Sequence, residues 1–294
     1  MELPKTARVA LDGDISVFYR YTGAPEKPVL LLLHGYANSS LYYKDLMTLL
    51  SPYYRIYAPD MPGFGFTTVD FAKYDFTFAN GATVLGRFVD ALGIKKFAVY
   101  IFDFGAPWGL RLALQRPDAV TAIISQNGNA YDEGLGKPWE AMRNFWASNS
   151  DAGREALRTR VRTFDRAKGQ YIEGSIENGD IVDPAAYHLD HALLQRPGVM
   201  DAMLSYFWDY RTNVDIYPEF QAYLREKQPP VLAVWGRHDV SFIYPGAEAF
   251  KKDVPKAEVH LLDAGHFALA GLEDVFAALM HRFLAAHVTR QASV

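Results

Sequence analysis

Apolar positions along the chain follow two periods, and the switching between them divides the chain into elements. Short apolar-rich runs at Val29 to Leu33, Arg55 to Ala58, Phe97 to Phe102 and Val120 to Ser125 have the length of buried strands. Helical spacing takes over between them: Thr83 to Leu92 sets Val84, Leu85, Phe88, Val89 and Leu92 along one stripe, and Gly93 ends it. Arg8 to Tyr21 alternates instead. Ile15, Val17 and Tyr19 fall on one face and Ser16, Phe18 and Arg20 on the other, which predicts a hairpin around Asp12-Gly13 with one misplaced aromatic, Phe18. From Gly128 to Gln228 no buried strand is evident, only helical stretches separated by Gly and Pro. Strands return at Val231 and at Val259 to Leu262, and Thr289 to Val294 reads as a frayed tail.

Strands alternating with helices predict an α/β fold, a mostly parallel sheet flanked by helices. Residues 1–127 and 229–294 would form one core, and 128–228 an inserted helical cap. Sites in such sheets gather at the carboxyl ends of the strands, so a cap placed there shapes a pocket and excludes water.

Three of those strand ends carry chemistry. The run Phe97 to Phe102 passes through Asp103-Phe104-Gly105-Ala106 into a helix, a tight strand-to-helix turn that presents its central side chain. Asp103 alone reads equally well as the cap of that helix. Asp239 after Val231 to Gly236, and His266 after Val259 to Leu262, shift the reading to catalysis, because a nucleophile, an orienting acid and a histidine then follow in order. A carboxylate nucleophile is ordinarily ionised at neutral pH and attacks saturated carbon, so epoxides and alkyl halides are the matching electrophiles. The strand Val29 to Leu33 leads into His34-Gly35-Tyr36, and the backbone N–H groups of Tyr36 and Phe104 are placed to hold an oxyanion. His34 reads as support for that loop beside the pocket.

Composition sets the outer bounds. The chain has 294 residues, 50 % of them hydrophobic and 22 % charged, with a net charge of −4, so no basic face for nucleic acid is implied. It contains no cysteine, which removes disulfides, thiolate metal sites and a thiol nucleophile. No apolar run is long enough to span a bilayer, and cytoplasmic is the default expectation. Self-association stays open. The run Arg154, Arg158, Arg160, Arg162 and Arg166 reads as a solvated helix face, with an anion site as the sharper alternative. His188 and His191 share a helix face but have no third metal ligand, and Ser125 follows a strand without a turn of the Asp103 kind.

Together His34-Gly35-Tyr36, the Asp103 turn, Asp239 and Gly265-His266-Phe267 resemble the α/β-hydrolase superfamily, in its aspartate-nucleophile branch of epoxide hydrolases and haloalkane dehalogenases. The resemblance covers almost the whole chain. It implies a small apolar aryl or alkyl epoxide as substrate, no metal and no organic cofactor. Asp209-Tyr210-Arg211 looks like the cap segment that carries a ring-opening tyrosine, which gives Tyr210 that role; Tyr171 is the candidate second tyrosine, with Tyr131, Tyr187 and Tyr206 as competitors. The chain departs from the family in having Ile101 and Phe102 where glycine and histidine usually precede the nucleophile, and Ala37 where proline is common. Dehalogenation of a haloalkane or haloacid by the same Asp103 is the alternative, with Trp108, Trp139, Trp146 or Trp208 as halide donors; a catalytically silent ligand-binding module is a second alternative.

Overall fold

The computed structural model describes residues 1–11, 14–148, 150–175 and 180–288; the turn at Asp12-Gly13 and the tail from Thr289 lie outside the described residues. Eight strands make one sheet: β1 (Lys5–Leu11), β2 (Ile15–Thr22), β3 (Val29–Leu33), β4 (Arg55–Pro59), β5 (Phe97–Phe102), β6 (Val120–Gln126), β7 (Val231–Gly236) and β8 (Glu258–Leu262). Their spatial order is β1-β2-β4-β3-β5-β6-β7-β8. The pairs β1–β2 and β2–β4 are antiparallel, and every later pair is parallel. All six residues of β5 and of β7 are buried, as expected of strands covered on both faces. In β2 the buried face is Ile15, Val17 and Tyr19. Phe18 on the other face is covered by Phe66 at 5.3 Å and by the guanidinium groups of Arg8 and Arg20 at 5.5 and 5.7 Å, which accounts for an aromatic at an otherwise polar position.

Before the cap come α1 (Lys44–Leu50), α2 (Phe78–Ala91) and α3 (Gly105–Gln115). Between β6 and β7 lie α4 (Pro138–Ser148), α5 (Asp151–Val161), α6 (Phe164–Ile172), α7 (Pro184–Leu194), α8 (Val199–Asp209), α9 (Arg211–Asp215) and α10 (Tyr217–Lys227). The chain closes with α11 (Pro245–Asp253) and α12 (Glu273–His287). Helix α2 starts five residues before the expected Thr83, because the Thr77 side chain caps it by accepting from the Asn80 N–H. Helices α1 and α12 pack together over one face of the sheet, while α2, α3 and α10 pack over the other. Helix α10 touches α3 and α11, so the 128–228 segment includes one helix of the core layer.

Hydrogen bonds join the helical insertion to the core around its rim. Tyr36 Oη donates to the Val161 carbonyl at 3.0 Å, Trp139 Nε1 to the Ser241 carbonyl at 3.0 Å, and Tyr206 Oη to the Pro62 carbonyl at 3.1 Å. The Phe78 N–H at the start of α2 donates to the Asp209 carboxylate at 2.7 Å. Among the described residues, no helix is long and apolar enough to cross a membrane.

Candidate active site

Asp103 sits at the end of β5 with φ +50°, a left-handed conformation that costs a non-glycine residue energy and therefore needs support. The Tyr36 N–H supplies part of it, donating to Asp103 Oδ1 at 2.5 Å. Gly35 makes that approach sterically possible, since a Cβ there would lie 2.4 Å from the Asp103 side chain. Ile101 would crowd the turn, but it lies against Gly109 of α3, where a Cβ would fall 2.6 Å from its Cγ2. The absent glycine is thus compensated one helical turn later. Phe102 packs on the His266 ring at 5.1 Å and stacks on Tyr42 at 5.3 Å, so it fills the place of the family histidine as a wall.

Asp239 follows β7 with its carboxylate fully engaged. Oδ1 accepts the N–H groups of Ser241 at 2.7 Å and Phe242 at 3.1 Å; Oδ2 accepts Asn127 Nδ2 at 2.7 Å and His266 Nδ1 at 2.6 Å. With Nδ1 protonated toward Asp239, His266 presents Nε2 to Asp103 Oδ2 at 3.5 Å. Burial works against charging this imidazole, but the Asp239 charge and hydrogen bonds to Asp103 and Asp239 outweigh it, and its pKa is pushed up to about 9. Asn127 is a residue that the sequence reading passed over. It has φ +45° at the end of β6 and ties β7 to the site, accepting the Gly236 N–H at 3.0 Å while donating to Asp239. An asparagine directly after a buried strand, followed by Gly128, was the available signal.

A cavity of about 70 Å³ opens over Asp103 and His266. Phe104, Trp139, Met142, Val161, Phe207 and Phe242 make its apolar wall. Its polar lining includes Tyr36, Gln170, Ser241, Arg160 and Arg166. The two arginines come from the run read as a solvated face; Arg160 remains exposed and Arg166 partly so, but both also border this cavity. The solvated-face reading holds for Arg158, paired with Glu155 and Asp201, and for Arg162, bonded to Gln195.

The structure does not bring every expected residue into the cavity. His34 is buried beneath it; its Nδ1 donates to the Gly35 carbonyl and its Nε2 accepts the Met61 N–H, so the ring supports the loop and does not line the pocket. Trp108 likewise lies in the core, against Phe64, Phe78 and Phe104. Tyr171 faces another cavity, and its hydroxyl donates to Asp190 at 2.6 Å. It cannot act on a substrate beside Asp103, because α6 turns the adjacent Gln170 to the cavity instead. Tyr210 stands one layer behind the wall, packed on Phe104, Trp139 and Phe242, with its hydroxyl 3.4 Å from that of Tyr217. Tyr131 donates to Asp253 and Tyr206 to Pro62, which removes both as candidates, and Tyr187 does not line the cavity. Trp139 and Trp146 already spend their indole N–H groups on carbonyls. Among the described residues, no group of three or more His, Asp or Glu side chains is placed to hold a metal ion.

Comparison with known proteins assigns the chain by fold. The model of the alpha/beta hydrolase fold family matches residues 28–270. An uncharacterized hydrolase of Saccharomyces cerevisiae, YNR064C, is 43 % identical over 267 residues, covering 89 % of this chain and 91 % of that protein. Haloalkane dehalogenase 2 of Mycobacterium tuberculosis is 27 % identical over 271 residues, 87 % of this chain and 88 % of the other. Among solved structures, the ligand-free epoxide hydrolase CorEH superposes with a TM-score of 0.78 at 18 % identity, covering 96 % of this chain and 99 % of that one, a likeness of fold alone.

Proposed function

The chain belongs to the alpha/beta hydrolase fold family, and from that premise we propose that it opens small epoxides to vicinal diols through an ester on Asp103. One observation carries the reading: the residue at the turn is a carboxylate, held by the Tyr36 N–H and facing a histidine that Asp239 orients. In the first step an Asp103 oxygen attacks an epoxide carbon, the C–O bond of the ring breaks, and an alkoxide forms and takes a proton. Tyr210 is the acid this reading uses. Burial foremost, and then Tyr217, hold its phenol pKa well above the usual value, so the hydroxyl keeps its proton at neutral pH. Its hydroxyl now meets that of Tyr217 at 3.4 Å behind the wall, so this reading requires Phe104, Trp139 or Phe242 to move aside for the substrate. In the second step His266 removes a proton from water, and the resulting hydroxide attacks the ester carbonyl of Asp103. The Tyr36 and Phe104 N–H groups then stabilise the oxyanion; the C–O bond to the substrate breaks, the departing oxygen takes the proton of the attacking hydroxide, and the diol leaves with an oxygen that began in Asp103 while the proton on His266 returns to the Tyr210 phenolate.

A second reading, halide displacement by the same carboxylate, is favoured by the place of the two expected tyrosines: Tyr171 points away from the cavity and Tyr210 stands behind its wall. A halide leaves without a proton. Single turnover in heavy-oxygen water tests the shared step: label is expected in Asp103 and not in the first product. Label in the first product alone would sink the ester, and halide release from haloalkanes without diol from epoxides would replace the first reading by the second.

A further inference from the structure

The cavity above Asp103 is apolar over most of its wall, yet two guanidinium groups and a free amide face it. Arg160, from α5, makes no side-chain hydrogen bond or ion pair among the described residues, and Arg166, from α6, has only a long 3.9 Å contact to the exposed Glu173. The two arginines lie close enough to depress the Arg160 pKa, lost solvation being the larger cause and the Arg166 charge the second. Arg160 is exposed and Arg166 partly so, and the two like charges meet at the solvent-facing edge of the cavity. Gln170 is 7 % exposed and lines the same cavity, and its amide has no hydrogen-bond partner among the described residues, so it is open to a ligand there. Their neighbours Arg158 and Arg162 are bound elsewhere, so the run is not uniformly a surface feature. The nucleophile and Asp239 add negative charge below, and any anionic substrate would be repelled from that end unless cations met it at the other.

We propose that Arg160, Arg166 and Gln170 bind a carboxylate of the substrate, which is accordingly a short epoxy acid with its reactive carbon directed at Asp103. This rests on the ester mechanism above, and it narrows the expectation of a wholly apolar epoxide. A carboxylate takes paired N–H donors from guanidinium, and the cavity of about 70 Å³ leaves room for only a few carbons beyond it. The amide of Gln170 adds a donor that discriminates by hydrogen bonding and not by charge.

The test compares oxirane-2-carboxylate with oxirane-2-carboxamide, which share a skeleton and differ in charge, for the wild type and for Arg160→Gln, Arg166→Gln and the double variant. The wild type is expected to prefer the acid by about tenfold in kcat/KM, mainly through KM, with the preference falling toward one in the double variant. Equal use of both by the wild type, or a parallel loss of both in the variant, overturns the proposal. Binding of propionate by calorimetry at constant ionic strength reads the site without chemistry: wild-type binding weakened about tenfold in the double variant supports it, and no binding by the wild type overturns it. Failure of the ester mechanism is seen separately, as heavy oxygen absent from Asp103 with either substrate.

Discussion

At the scale of single residues, the decisive group for the proposed mechanism is His266, whose ionisation is set by two carboxylates of which that mechanism would remove one. Asp239 and Asp103 both raise its pKa, against burial, to about 9. Under the proposed mechanism alkylation would turn Asp103 into a neutral ester, removing its charge and its hydrogen bond as a carboxylate while those of Asp239 remain. The imidazole becomes easier to deprotonate when it is needed as a base. Titration of His266 by NMR is expected to show a lower pKa in Asp103→Asn than in the wild type, and the rate of ester hydrolysis should rise with pH along a limb below that of the free enzyme. An unchanged pKa in the variant would remove the coupling. Asp103, Asp239 and His266 were legible in the sequence because each lies within four residues of the end of a strand, a pattern that survives without an alignment. The tyrosines were not. A phenol in the cap has the same sequence signature whether it faces substrate, as expected of Tyr171, or donates to a buried acid, as it does to Asp190.

At the scale of elements, that Tyr171 to Asp190 bond joins α6 to α7 and stores a pH dependence in the cap. Burial foremost raises Asp190 from 3.8 to about 8. A raised carboxyl pKa means that the folded state holds a proton the unfolded state gives up. Stability from this group is complete below the unfolded value and is lost as pH rises through about 8. Asp190→Asn keeps an acceptor for Tyr171 and carries no charge. It is expected to unfold later than the wild type at pH 8, by on the order of 2 kcal/mol, with the difference closing near pH 4. Thermal melts across that range check it, and parallel curves for the two proteins would show that Asp190 is not the source. The strands from β3 onward were readable to within one residue at the ends given, because a strand in the covered part of the sheet is an apolar run with few imitators, whereas β1 begins three residues before the expected Arg8. Helix starts were less so: Thr77 caps α2 through a single local bond, while Asn80 and Gly81 dilute the apolar stripe behind it.

At the scale of the whole molecule, the cap is fastened to the core by bonds between residues far apart in the chain, Tyr36 with Val161, Trp139 with Ser241, Tyr206 with Pro62 and Asp209 with Phe78. The existence and place of a helical insertion could be read from the loss of strand pattern, but these pairings could not, since neither partner carries a local signal. They hold the helical insertion over a small cavity, which under the proposed mechanism would shield the ester from water and limit substrate size. Tyr36→Phe separates rim from chemistry, because the variant keeps the backbone N–H that holds Asp103 Oδ1 and loses only the hydroxyl that reaches Val161. Losing one such bond costs about 1 kcal/mol, a fall in Tm of roughly 2–4 °C for a chain of this size. If the rim limits entry, the same variant gains on bulky epoxides relative to small ones while heavy oxygen still appears in Asp103. A lower Tm with an unchanged ratio of bulky to small substrate would mean that the rim bond stabilises the fold but does not gate it, and that the size limit resides in Phe104, Phe207 and Phe242 of the cavity wall.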